Sequence, residues 1–214
     1  MNIEIIEEKL QENEISTCTY KSVNYNISPE ITLEHFVKVF DDIISEELCD
    51  QIVDTFKNYD LPLALTGKDG LVDLNSRNCY AFNDFTRVAE IDENTKKYFD
   101  EELYKGIAKV IREYTKLYPS LNVDIDTGYN LLMYKEGQYY IQHVDNFTSQ
   151  QRSLSCSIQL NDDYEGGEFA LFDRGMLIRA KKGSAIVFPS NFMFPHEILP
   201  VQKGTRYSII TWCV

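Results

Sequence analysis

This 214-residue chain is short of positive charge: 21 Lys plus Arg stand against 34 Asp plus Glu, for a net charge of −13, and there are only three histidines. Such a surface repels phosphate backbones and anionic lipid head groups, so neither nucleic acid nor a membrane is an expected partner. Cysteines are few and unpaired in pattern. Cys18, Cys49, Cys79, Cys156 and Cys213 are odd in number, scattered and without a C-x-x-C spacing, which argues against a disulfide framework or a zinc site and for reduced, mostly buried thiols in a cytoplasmic setting. No apolar run approaches the ~20 residues that span a bilayer. The stretch Met1 to Glu8 is acidic where a signal peptide would be basic, and neither internal repeat nor low-complexity tract is visible. The expectation is a soluble, cytoplasmic protein. Its length suits one domain with an appendage and a core that needs no metal staple, so any metal should serve chemistry.

Residues 1–30 carry six acids and two bases with no sustained period, and are read as an acidic N-terminal extension preceding a domain over 31–214. Phe36–Phe40 reads as a strand. Ser45 then caps a helix reaching Tyr59, with Glu46 and Glu47 at its positive dipole end. Residues 61–85, rich in Gly, Asp and Asn, read as turns and loops. From Glu93 to Leu117 the positions Phe99, Leu103, Ile107, Val110, Ile111, Tyr114 and Leu117 form one buried helical stripe, weakened but not broken by Gly106.

After Asn122 the rhythm changes to eight short β-prone segments: Tyr129–Tyr134, Tyr139–Val144, Ser153–Leu160, Glu168–Phe172, Met176–Arg179, Ser184–Phe188, Phe194–Val201 and Thr205–Cys213. Turn signals such as Asn161-Asp162-Asp163 and Asp173-Arg174-Gly175 separate them. Helices first and strands after predict an α+β, mainly β fold: a double-stranded β-helix (jelly roll) core buttressed by N-terminal helices.

His143-Val144-Asp145 ends a predicted strand, where residues i and i+2 share a face and can reach one metal ion. Alone, an H-x-D triplet is most often a structural pair or a surface accident. A second histidine, His196, lies on another predicted strand. Two imidazoles and one carboxylate leave coordination sites open on non-haem iron(II), although zinc hydrolases use the same donor types. In the last strand, period two puts Arg206, Ser208, Ile210 and Trp212 on one face. Facing inward, that guanidinium needs an anion, and its planar fork suits a carboxylate. Facing outward, it would leave Tyr207, Ile209 and Cys213 buried instead, and the pattern allows either.

The segment Tyr134-Lys135-Glu136-Gly137-Gln138-Tyr139-Tyr140-Ile141-Gln142-His143-Val144-Asp145 resembles the Tyr-x-x-Gly-Gln-x-Tyr-x-x-His-x-Asp stretch of prolyl 4-hydroxylases. Gln159-Leu160-Asn161-Asp162 with Glu165-Gly166-Gly167-Glu168 is similar to their Leu-Asn-Asp … Gly-Gly hairpin, and Gly183 to Phe188 to the strand before their second histidine. Pro195-His196-Glu197 and Thr205-Arg206-Tyr207-Ser208-Ile209 resemble the end of the oxygen-sensing prolyl hydroxylases. The likeness is dense over Tyr129 to Val214 and vague over Phe36 to Leu117.

The resemblance implies an Fe(II)- and 2-oxoglutarate-dependent dioxygenase, with ascorbate as a candidate reductant, dioxygen as co-substrate and a peptide or protein prolyl residue as substrate. The same scaffold also hosts hydroxylation of free amino acids and other small molecules, and a non-catalytic jelly-roll binding module is a further alternative. It implies that His143, Asp145 and His196 are the catalytic metal ligands, that Arg206 pairs with the distal carboxylate of 2-oxoglutarate, that Tyr134 hydrogen-bonds the same molecule, and that Trp212 packs beside it. Prolyl 4-hydroxylases in general place Lys where Arg206 stands, and the oxygen sensors place Tyr where Gln159 stands, which leaves Ser208 and Gln159 as candidates to complete the carboxylate pocket. In the strand from Ser153 the polar face (Ser153, Ser155, Ser157, Gln159) would then look into the pocket. Tyr140, Gln142 and Arg77 are candidate substrate contacts, with a plain surface role equally open to Arg77. His35, far from every motif, is read as structural.

Overall fold

The computed structural model describes residues 32–66, 70–83, 91–123, 126–147 and 151–214. The expected extension at 1–30 lies outside the described residues. Helix α1 (Glu46–Phe56) starts where the Ser45 hydroxyl accepts the Leu48 N–H, and it buries Leu48, Cys49, Ile52 and Phe56. It stops a turn short of Tyr59. Helix α2 (Glu93–Leu117) is capped by the Asp92 carboxylate, which accepts from the Asn94 and Thr95 N–H groups. Its buried stripe runs Phe99, Leu103, Gly106, Ile107, Val110, Tyr114, the i, i+3, i+4 pattern of an amphipathic helix.

The strands are β1 (Lys38–Phe40), β2 (Arg77–Asn78), β3 (Tyr80–Phe82), β4 (Asn130–Tyr134), β5 (Tyr139–His143), β6 (Leu154–Gln159), β7 (Glu165–Gly166), β8 (Phe169–Leu171), β9 (Met176–Ile178), β10 (Ala185–Pro189), β11 (His196–Ile198), β12 (Val201–Lys203) and β13 (Arg206–Cys213). They form a six-stranded sheet in the order β1-β10-β6-β13-β4-β3, a five-stranded sheet in the order β2-β5-β11-β8-β9, and a two-stranded ribbon β12-β7. The pairs are antiparallel, as in a jelly roll.

Three expectations need correction. Only Lys38–Phe40 of the segment 36–40 is strand; Leu33–Phe36 forms a 3-10 turn in which the His35 ring nitrogen faces the Thr32 N–H. The stretch 61–85 holds β2 and β3, short enough for their Asn-rich surroundings to mask them. The run Phe194–Val201 is two strands, because Pro200 has no N–H to continue the ladder, and the chain moves there from the five-stranded sheet to the ribbon.

Two cores result. The apolar faces of α1 and α2 bury against the outer face of the larger sheet, including Leu131, Met133, Cys156, Ile158, Val187 and Ile209. The second core lies between the sheets, with Leu132, Phe169, Phe188, Phe194 and Ile198. Alternation along β13 sends Tyr207, Ile209 and Cys213 toward the helices. Arg206, Ser208, Ile210 and Trp212 point toward a cavity between the sheets.

Candidate active site

That cavity has a volume of about 260 Å³ and is lined by residues of both sheets. On the smaller sheet His143, the last residue of β5, stands opposite His196, the first residue of β11. Asp145 follows β5 in the next loop. The His143 Nε2 lies 3.7 Å from Asp145 Oδ1, and the His196 Nε2 lies 3.5 Å from Asp145 Oδ2. One donor atom from each of the three residues lies within 4.8 Å of the others, close enough to share one ion. The His143 Nδ1 faces the Ile141 carbonyl at 2.9 Å and the His196 Nδ1 faces the Phe194 carbonyl at 3.1 Å. With the protons on Nδ1, both Nε2 lone pairs are free to coordinate.

The surroundings favour the metal-ready protonation states. Burial, with the His196 imidazole next to it, holds His143 well below the usual imidazole range. For Asp145 burial pushes the carboxyl up, but the two imidazoles, the Ser155 hydroxyl and the Trp212 indole outweigh it and leave the pKa lowered. Ser155 donates to Asp145 Oδ2 at 2.7 Å and lies 2.8 Å from the Ser190 hydroxyl. His143 stacks on Tyr140 with centroids 3.6 Å apart, and His196 stacks on Phe169 at 5.2 Å. These contacts fix the ring planes.

Across the cavity Arg206 is 2% exposed. Its Nη1 donates to the Ser208 hydroxyl at 2.8 Å, its Nε has no hydrogen-bond partner, and no ion pair among the described residues includes it. In the paired position of β4 stands Tyr134, fully buried, its hydroxyl without a partner apart from the weakly bonding Cys79 thiol nearby, and its phenol pushed well above the ordinary value by burial. A buried guanidinium without an anion carries a desolvation penalty of several kcal/mol.

Of the expected contacts, Tyr134, Tyr140, Arg77, Ser208 and Trp212 line the cavity, and Ser155 and Ser157 of the polar face of β6 point inward as anticipated. Gln159 does not: its amide donates to the Asn161 and Tyr207 carbonyls at 2.9 Å, because it ends β6 where the chain turns away. Gln142 does not either. A bulge in β5 matches His143 with His196 but Tyr140 with Ile198, so Tyr140 and His143, three residues apart, both face inward while Ile141 and Gln142 are exposed. Gln142 donates instead to Asp173 on the outside of the sheet, at 2.6 Å.

Sequence reasoning missed Arg152. Its guanidinium carbon lies 3.5 Å from the Trp212 ring centroid, and its Nη1 donates to the Asp145 carbonyl. It arrives through the loop after Asp145, where no periodicity announces it. Arg77 stacks similarly over Tyr140 at 4.7 Å, so the two guanidinium groups flank the cluster from opposite aromatic residues.

Residues 129–214 match the model of the 2OG-Fe(II) oxygenase superfamily. A PKHD-type hydroxylase of Idiomarina loihiensis is 31% identical over 85 residues, 37% of this chain and 38% of that protein. The procollagen-lysine,2-oxoglutarate 5-dioxygenase 1 of Mus musculus is 28% identical over 180 residues, 79% of this chain and 23% of that one. The chain thus spans well under half the length of these relatives. Among solved structures, a Trichoplax adhaerens prolyl hydroxylase in complex with a hypoxia inducible factor peptide fragment superposes with a TM-score of 0.68 at 15% identity, covering 83% of each chain. Residues 129–214 therefore carry the 2OG-Fe(II) oxygenase pattern, and the chain is prolyl 4-hydroxylase-like in that sequence and in the fold of its described residues.

Proposed function

We propose that this chain is an Fe(II)- and 2-oxoglutarate-dependent hydroxylase acting on prolyl residues of a peptide or protein. His143, Asp145 and His196 hold the iron, and Arg206, with Ser208 and Tyr134, receives the distal carboxylate of 2-oxoglutarate. The observation that carries this reading is the Arg206 guanidinium, buried without an anion in the cavity that the imidazole–carboxylate cluster also lines. A keto-diacid long enough to reach from one to the other supplies the missing charge and the missing acceptors for Arg206 Nε and Tyr134. When bound, iron(II) would activate dioxygen, the oxidant, with two electrons drawn from 2-oxoglutarate: one oxygen atom would go into succinate as carbon dioxide leaves, and the other into a substrate C–H bond.

The chain's own residues then do the positioning. Ser155 orients the Asp145 carboxylate, Tyr140 and Phe169 hold the two imidazole planes, and the aromatic walls keep water from the reacting centre. The substrate class follows from charge. Asp145 is the single carboxylate among the described residues lining the cavity, against Arg77, Arg152 and Arg206. With Arg206 given to 2-oxoglutarate, a lysyl ammonium would still meet the cations Arg77 and Arg152 and no uncommitted acid, which disfavours the lysyl substrate named for the mouse relative. An uncharged prolyl ring suits Tyr140 and Trp212, and the peptide bound to the Trichoplax enzyme supports a polypeptide substrate. The same two arginines, Arg77 and Arg152, favour one second reading, a free amino acid offering its carboxylate.

The test is aerobic incubation with Fe(II), ascorbate and 2-oxoglutarate, against a proline-peptide library in one arm and free amino acids in the other, with succinate and substrate oxygenation measured by mass spectrometry. Peptide oxygenation is expected, falling to background in Asp145→Ala with the fold retained. Oxygenation confined to the second arm selects the free amino acid, and no succinate in either arm leaves a binding module. Full activity in Asp145→Ala would reject the ligand assignment.

A further inference from the structure

The turn joining β8 to β9 has a backbone that its sequence does not favour. Phe172, Asp173 and Arg174 all lie in the left-handed region, at φ 54°, 52° and 68°, a conformation L residues adopt singly rather than in runs. Such a run persists only where its surroundings hold it, and it gathers near functional sites. The Phe172 N–H donates to the Pro195 carbonyl at 3.2 Å and its ring packs on Phe194 at 5.9 Å; beyond these, two polar side-chain contacts hold the turn. Asp173 Oδ1 accepts from Gln142 Nε2 at 2.6 Å. Arg174 forks onto Glu197, with Nε donating to Oε1 at 2.6 Å and Nη2 to Oε2 at 3.1 Å.

The partners of these contacts are neighbours of the two imidazoles. Gln142 immediately precedes His143, and Glu197 immediately follows His196. Side chains alternate across a sheet, so the imidazoles face the cavity while Gln142 and Glu197 face outward, where the turn meets them. The strand ladder itself is interrupted at this point. Three steps along β5, from Tyr140 to His143, match two along β11, from Ile198 to His196. A bulge of this kind disrupts the local ladder and bends the strand, so backbone pairing alone does not fix how the two imidazoles sit relative to each other.

We infer that Asp173 and Arg174 are positioning residues: the β8–β9 turn bridges the bulge from outside the sheet, tying β5 through Gln142 and β11 through Glu197, and so sets the spacing of His143 and His196 on which metal affinity depends. The inference rests on the metal-site reading above. With this left-handed backbone two successive side chains, Asp173 and Arg174, reach two different strands.

The variants that separate brace from backbone are Asp173→Gly and Arg174→Gly. Glycine adopts the left-handed region freely, so the turn is kept and only the contacts are lost. Titration of the metal-free full chain with Co(II), followed by visible absorption, reads the site without turnover. The expected result is a Kd weakened about tenfold in each variant and up to about 100-fold in the double variant, with altered visible bands, while the Tm of the metal-free protein stays at or above wild type. Asp173→Asn, whose amide oxygen still accepts from Gln142, is expected to keep wild-type affinity. Unchanged Kd and bands in the double variant overturn the brace, and wild-type binding that is lost in Asp145→Ala then shows the metal site to stand without it. A Tm that falls together with affinity reduces the turn to general support of the sheet and overturns the brace too. Absence of Co(II) binding by the wild type overturns brace and metal site together.

Discussion

The two faces of the larger sheet are both buried, and they do opposite things. Toward the helices, β6 and β13 present Leu154, Cys156, Ile158, Tyr207 and Ile209, which meet α1 and α2 in a dry layer. Toward the cavity the same two strands present Ser157, Arg206 and Ser208, with Ser155 behind them on the Asp145 carboxylate. The first face stabilises, because apolar area leaves water at roughly 25 cal/mol per Å². The second face costs stability, because it holds a guanidinium with no anion and a phenol hydroxyl with no strong partner. Burial in this protein therefore divides by face: one side of a strand holds the fold together while the other stores unsatisfied polarity for a ligand.

The sharpest way to break that comparison is to cut each face in turn. Phe99→Ala, on the helix side and 2% exposed, should destabilise by about 3–5 kcal/mol, read as a drop in the urea midpoint, while the KM for 2-oxoglutarate in the remaining folded protein stays unchanged. Arg206→Met, on the cavity side, should do the reverse. Removing the unpaired buried cation should raise the stability of the ligand-free protein by about 1–4 kcal/mol, and the loss of charge-assisted hydrogen bonds should raise the 2-oxoglutarate KM by roughly 10- to 100-fold. If Arg206→Met lowers ligand-free stability instead, the cavity face is an ordinary part of the core and the contrast is wrong.

Which parts of this contrast were legible in the sequence follows from what sequence patterns encode. Period two along Arg206 to Cys213 named both faces of β13, and family resemblance chose which one looked inward. Ser45 and the long apolar stripe marked both helices within a turn. The failures are of another kind. Alternation put Gln159 on the cavity face, yet it cannot say how far along the strand the cavity extends, and Gln159 lies past its end. Gln142 was misplaced because its nearness to His143 in the chain outweighed alternation, which sends it to the outer face; the bulge, a mismatch with the partner strand that no local pattern encodes, is what turns Tyr140 inward. Arg152 reaches Trp212 through a loop, by a contact that has no period at all. The strands β2 and β3, two and three residues long, fall below the length at which alternation can be counted.

Acid should also separate the cavity from the helix layer, through His143 on the facing wall of the cavity and with a smaller effect. The folded pKa of His143 lies below its ordinary value of 6.5, with burial the main cause. Below that value the unfolded chain takes up a proton that the folded chain refuses, so the proton count is higher in the unfolded state and stability falls as pH drops. Between pH 6.5 and 5 this contributes at most about 2 kcal/mol, since each unit of difference is worth about 1.4 kcal/mol. In metal-free protein the Tm should decline over that window, and the decline should flatten in His143→Leu. Asp145, whose ordinary value is 3.8, titrates below the window and leaves it clean. An identical decline in both proteins would place the acid sensitivity elsewhere.

The smallest expected effect tests how tightly the helix face is built. Gly106 sits in the middle of α2, where an alanine is intrinsically better by about 1 kcal/mol. A Cβ at that position would meet the Ile43 carbonyl oxygen and the Ile44 Cγ2, both at 2.9 Å. Neither neighbour is free to retreat, because the N–H groups of Ile43 and Ile44 donate to the Gly183 carbonyl at 2.9 and 3.3 Å, which pins the segment between α2 and the approach to β10. Overpacking of this kind costs about 1–3 kcal/mol. It exceeds the propensity gain, so Gly106→Ala should lower stability by about 1 kcal/mol in urea unfolding, with no change in Co(II) affinity. A stabilised Gly106→Ala protein would show that the Ile43–Ile44 segment gives way to α2 and that the helix layer is packed less tightly than these contacts require.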